Sequence, residues 1–228
     1  MEVMEQEAAI FESAGQAVHV AFLVMAQEAM QDAPLRMALI RMMESVKLEN
    51  GQRHWLDQLR GTRSGAVNFG GLTGGEVRAQ CAMITQAVKT KLPAVEMWVL
   101  QAKFGETEHE DVELGDRQLP ATAAPRVTRR FAFSAERIAA IKGLSDYFQP
   151  QFPHINPFAM DCMLGRLYAN HKKLDISSRD LAAQFGGNHT KYLRASHKLK
   201  NQLRILEQQA MARLEPTFID HGVIEKFH

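Results

Sequence analysis

The sequence predicts an all-α fold: a multi-helix protein with a C-terminal helix-turn-helix followed by a long basic helix. Three observations carry this. Apolar residues recur at steps of three and four, as in Val77, Cys81, Ile84 and Val88, and again in Tyr192, Ala195, Leu199, Leu203, Leu206 and Ala210. Capping residues stand where those stripes begin, above all the Thr73-x-x-Glu76 box and Ser177 with Asp180. Proline and glycine fall between the periodic stretches, where they end helices.

The first helix is expected over residues 5–31, ending near Asp32-Ala33-Pro34. Pro34 suits the first turn of a second, running to about Leu48, and 50–60 reads as a third. The Met37, Met42 and Met43 cluster there is core or a dimer face, and Trp55 and Trp98 are expected in cores. Gly61 to Gly75 holds six glycines and matches neither a phosphate loop nor a dinucleotide fingerprint, so it reads as a surface loop. Thr73 and Glu76 then open a helix of about 75–91. Pro93 opens another over 94–104, stopped by Gly105. Residues 106–133 look like a linker or insertion: six acids without a Lys or Arg in 106–116, two prolines, then Arg126, Arg129 and Arg130. Ser134 caps a helix to about Phe148. Pro150, Pro153 and Pro157 break the chain before a helix over 158–170. Pro93, Leu100 and Phe104 share their spacing with Pro157, Leu164 and Tyr168, a faint internal repeat. The expected organisation is an acidic helical region over 1–60, a glycine-rich loop and helical unit over 61–105, the linker or insertion, and a helix-turn-helix region over 134–228.

Residues 175–206 speak most clearly about function. Ser177 caps a short helix from Arg179 to about Phe185, with Leu181, Ala182 and Phe185 apolar. Gly186 can take positive φ and end it. Ala182, four residues before Gly186, leaves room for a close helix crossing. Asn188 or Thr190 can cap the next helix. Gly187 stands where a helix-turn-helix usually carries a buried aliphatic residue, which implies a looser or longer turn. Between His189 and Arg204 there are five Lys/Arg residues, two histidines and no acid. A helix so one-sided in charge suits nucleic-acid phosphates. In this reading Lys191 and Arg194 lie closest to base edges, with His189, Thr190 and His197 on the same helix. Arg179, Lys198, Lys200 and Arg204 hold phosphates.

Composition narrows the alternatives. The net charge is only +1, but it is segregated: residues 1–60 carry nine acids against five Lys/Arg, and residues 161–204 carry nine Lys/Arg against three acids. That pattern assigns a protein partner to the acidic part and a polyanion, double-stranded DNA, to the basic part. Cys81 and Cys162 form neither a CxxC pair nor a disulfide framework and read as buried small hydrophobes in a reducing cytoplasm. The acidic start does not resemble a targeting peptide, and the longest apolar run, Ala17 to Ala26, is too short for a bilayer. No HExxH, GxSxG or Walker-type loop is present, and the nine histidines do not cluster with carboxylates. His171 beside Lys172 and Lys173 is solvated or phosphate-facing, and His109-Glu110-Asp111 is acidic loop. The expectation is a binding protein rather than an enzyme, with neither metal nor cofactor.

Two stretches carry a resemblance. Leu92 to Gly105 (LPAVEMWVLQAKFG) resembles the first helix of the −35-reading domain of bacterial sigma factors, and Ile176 to Leu206 resembles the helix-turn-helix that closes that domain. Some 70 residues separate them, which argues against one intact sigma domain. The layout resembles phage late-gene antiterminators of the Q type over about residues 72–215. Some of these carry a four-cysteine zinc finger, which two lone cysteines exclude. The resemblance implies DNA binding near a promoter and contact with paused RNA polymerase, in the cytoplasm of a bacterium or phage host. A DNA-binding repressor or activator that does not join polymerase, and a helical protein–protein adaptor, are the alternatives.

Overall fold

The computed structural model describes residues 9–26, 72–114, 126–169 and 176–225, with 107–114 and 126–132 given by their backbone. Among these residues the body is all-α. Its seven helices are α1 (Ala14–Ala26), α2 (Gly74–Lys91), α3 (Ala94–Phe104), α4 (Ala135–Phe148), α5 (Pro157–Tyr168), α6 (Ser178–Phe185) and α7 (His189–Asp220). The helices expected over 34–48 and 50–60, the glycine-rich stretch to residue 71, the Met37 cluster, Trp55, and His171 with its lysines lie outside the described residues.

Local chemistry sets most helix starts. The Thr73–Glu76 box is closed in both directions: Thr73 Oγ1 accepts from the Glu76 amide at 3.3 Å, and Glu76 Oε2 accepts from the Thr73 amide at 2.6 Å. Ser134 Oγ accepts from the Arg137 amide, and Asn156 Oδ1 from the Phe158 amide. The first helix begins later than expected. Ser13 Oγ accepts from the Gln16 amide, so α1 opens at Ala14, while Phe11 is held outside it by its amide's bond to the Val223 carbonyl at 3.0 Å.

Within the expected linker or insertion over 106–133, β1 (Thr107–Leu114) and β2 (Arg126–Phe133) pair as a two-stranded antiparallel hairpin. Its register sets Glu110 opposite Arg130 and Asp111 opposite Arg129, so the acidic and basic runs become partners across the ribbon. The long basic helix does not follow the expected helix-turn-helix as a separate element. It is the second helix itself, 32 residues and about 48 Å long at ~1.5 Å per residue.

Two cores share α3 and α7. One joins α1, α2, Leu100, the C-terminal part of α7 (Ala210, Leu214, Phe218) and the tail residues Val223 and Ile224. The other joins Val99 and Ala102 to α4, α5, Leu181 of α6 and the N-terminal part of α7 (Tyr192, Leu199, Leu203). Trp98 lies against Gly143, where even a Cβ would come within 2.7 Å of the indole.

Arg137 ties the second core together. It is 2% exposed. Its Nε donates to the Ala102 carbonyl at 2.8 Å, one Nη to Gly105 at 3.1 Å and the other to Tyr168 at 2.7 Å. The guanidinium therefore caps the C-termini of α3 and α5 together, where orphan carbonyls and the negative dipole ends favour a cation. It also stacks 4.3 Å from the Phe133 ring at the foot of the hairpin. Burial lowers its pKa to about 10, so it stays charged at neutral pH. Arg137→Met should cost roughly 3–5 kcal/mol in urea denaturation, because three carbonyls lose a charged donor. Arg137→Lys should recover little, since one ammonium cannot reach all three; a wild-type midpoint for the lysine variant would show that the fork is dispensable.

His19 supplies a pH-dependent term. It is buried in α1, stacked on Phe104 at 5.2 Å, and burial, reinforced by Lys103, lowers its pKa to about 4. The folded value lies below the ordinary 6.5, so the unfolded chain takes up this proton first as pH falls. Stability is therefore lost between about pH 6.5 and 4, by at most ~3 kcal/mol, and levels off below. The stability difference between His19→Gln and wild type should change across that window; a constant difference would exclude His19 as the source.

Candidate nucleic-acid interface

The turn unit is built from α6 and the first half of α7. Arg166 of α5 donates to the Ile176 carbonyl at 2.9 Å and so fixes the segment entering α6. Ser177 and Asp180 close a reciprocal capping box, which also lowers the Asp180 pKa. Leu181 is buried, and Ala182 and Phe185 pack against the second core.

Both turn glycines have positive φ, Gly186 at 78° and Gly187 at 89°. The absent aliphatic residue at Gly187 is thus replaced by a second left-handed turn residue, a conformation that a side chain there would strain. Tyr192 compensates: its buried ring fills the space beneath the turn and its hydroxyl donates to the Gly186 carbonyl at 2.9 Å. Of the two expected caps, Asn188 serves. Its Oδ1 accepts from the Thr190 amide at 3.0 Å, leaving Thr190 inside the first turn of α7.

The apolar stripe on α7 turns inward: Tyr192, Ala195, Leu199, Leu203 and Ala210 are buried and Leu206 is half-buried. Counting about 100° per residue around the helix from that stripe sorts the remaining residues into sectors. Thr190, Arg194, His197 and Asn201 point most directly outward, with Leu193, Arg204 and Ile205 beside them. His189 and Lys200 border this ridge on one flank, Lys191 and Lys198 on the other. Arg194, His197, Lys198, Lys200, Arg204 and His189 are exposed, and Thr190 and Lys191 are half-buried. Lys191 lies 5.7 Å over the Tyr192 ring and Lys198 5.2 Å over Phe152, so the second flank leans on the body. Arg179 stands exposed at the start of α6 and meets His189 across a shallow open cleft floored by Ala182 and Gly187.

Electrostatics here are one-signed. Among the described residues none of Lys191, Arg194, Lys198, Lys200 and Arg204 is paired with a carboxylate. The first acid along α7 is Glu207, half-buried and engaged with Lys103. Among the residues that charge and spacing did not single out, Leu193 and Asn201 lie in the half nearer the turn and Ile205 beyond them. None of the three carries a charge, and only their sector on the helix places them on the ridge.

The segment 92–105 and the C-terminal half of α7 meet in space, beyond the end of the 176–206 stretch. The helix of that segment, α3, packs along α7, with Glu96 Oε1 accepting from Arg213 Nε at 2.9 Å and Lys103 meeting Glu207. Elsewhere, burial pushes the Cys81 thiol up to about 12 and raises Cys162 as well, which opposes thiolate chemistry at either. Among the described residues no group of three or more His, Cys, Asp or Glu could hold a metal ion, and no helix is long and apolar enough to cross a membrane. No family model matches the chain, and no curated protein matches it significantly.

The geometry of the crossing is directly testable. Ala182→Leu should overpack the α6–α7 contact at a cost on the order of 1–3 kcal/mol, whereas Ala183→Leu, exposed on the same helix, should stay within about 0.5 kcal/mol. Gly186→Val should cost at least ~1 kcal/mol through its positive φ. Equal denaturation midpoints for the two alanine variants would mean that Ala182 does not sit at the crossing.

Proposed function

We propose that this chain is a sequence-specific, double-stranded-DNA-binding transcription regulator that reads a major groove with the exposed ridge of α7. The observation that carries this reading is the ridge's charge: two basic flanks and a basic centre, without an acid, on a helix whose opposite face is anchored in the core. Such a helix can lie between two phosphate backbones, its flanks holding phosphates and its centre facing base edges. The first turn of α7 contains no acid, so its positive dipole end adds to the same field. On this reading Arg179, exposed at the start of α6, holds a phosphate, as in helix-turn-helix units whose first helix crosses the backbone.

The finer reading is a phage late-gene antiterminator of the Q type that engages RNA polymerase. It is supported by the resemblance of 92–105 and 176–206 to sigma-factor elements, and by the packing of α3 along α7. Terminator read-through by purified polymerase, with and without the protein, tests it. Binding without read-through would leave a repressor or activator.

The electrostatic part has a definite signature. With about four to six phosphates contacted, log affinity should fall against log salt with a slope of about −4 to −5 in fluorescence anisotropy. Lys200→Ala should weaken all sequences alike and reduce the slope by about 1, whereas Arg194→Ala should cost roughly 1–3 kcal/mol on the preferred site and relax its specificity. A slope near zero would remove the nucleic-acid reading. Equal losses for both variants on preferred and random DNA would remove Arg194 from base reading.

A further inference from the structure

We infer that Leu193 is a specificity-determining residue that packs against the 5-methyl group of a thymine in the major groove; this rests on the DNA-binding reading of α7. Leu193 is 46% exposed although its neighbours on either side in the chain, Tyr192 and Arg194, divide between core and solvent in the ordinary way. It lies four residues after His189 and four before His197, so it stands on their side of the helix, one turn in from the N-terminal end. That is the part of a reading helix that reaches base edges. The surface around it is polar or cationic, and no described element covers it. A leucine there can hold neither a phosphate nor a polar base edge. The apolar group that a major groove offers is the thymine methyl, which also distinguishes A·T from T·A. Withdrawing leucine and methyl together from water favours the contact, whereas any other base opposite Leu193 leaves its polar edge facing an apolar side chain.

The test begins by selecting the preferred duplex of the full-length protein from a random pool. Each thymine in that site is then replaced, one at a time, by deoxyuridine, which lacks only the methyl group. One replacement should weaken wild-type binding about fourfold, the ~0.8 kcal/mol of one buried methyl-sized group. Leu193→Ala, a change at an exposed position, should bind the thymine and uracil duplexes within a factor of two of each other, with its salt slope unchanged. If no replacement distinguishes the variant from wild type while salt-dependent binding persists, the inference about Leu193 is overturned and the DNA reading stands. If the protein binds no duplex, or binds without salt dependence, both fall together.

Discussion

The Arg137 guanidinium is the constraint on which the turn unit depends. It gathers three backbone carbonyls from the ends of two helices that the sequence keeps more than sixty residues apart, and it does so in a nearly dry site. Its charge would be costly there alone. It is tolerated because each partner is an orphan carbonyl at a helix C-terminus, so helix dipoles and hydrogen bonds offset the desolvation. The consequence is positional. With the end of α5 fixed, Arg166 on that helix fixes Ile176, and Ser177 then starts α6 at a set place over α7.

Helix α7 carries that placement across the molecule. Its N-terminal part belongs to the second core and its C-terminal part to the first, so any torque on the ridge is resisted at both ends. Phe11, bonded to Val223 beyond the end of α7, draws the start of α1 to the same place. The partly buried Lys103–Glu207 and Arg213–Glu96 contacts lie between the cores, where α3 and α7 run together. Each contact pairs one residue of α3 with one of α7, Glu207 as the acid and Arg213 as the cation, and both lie beyond the acid-free first half of α7.

What was legible in the sequence was local. The Thr73–Glu76 box, the Ser134 and Ser177 caps, the positive φ of Gly186 and the inward stripe from Tyr192 to Ala210 each depend on residues within a turn or two of one another. The hairpin was not legible. Its pairing of Glu110 with Arg130 joins residues twenty apart, and either strand alone is a charge run with the look of a loop. Arg137 was hidden for a related reason: a lone arginine in a helix counts as surface charge until the carbonyls of two other helices surround it. The candidate interface residues rest on charge, so the sequence identified cations along α7 but could not separate outward ridge from flanks. It passed over Leu193 and Asn201, which charge does not mark.

The energetics explain how the ridge persists in a folded chain. Arg194 with Lys198 and Lys200 with Arg204 are like-charged pairs at i,i+4, each destabilising an exposed helix by roughly 0.2–0.5 kcal/mol. Lys191 and Arg194, three apart, add a similar amount, for about 1 kcal/mol in all. Against this, burial of Tyr192, Leu199 and Leu203 on the opposite face contributes roughly 1.5–3 kcal/mol per side chain. Packing wins severalfold, so the helix can hold five cations that have no acidic partner among the described residues. On the proposed reading the small residual repulsion is relieved when a polyanion arrives. The free protein is then slightly frustrated at the one surface where a ligand can remove that frustration, while the packing that outweighs it lies out of the ligand's reach.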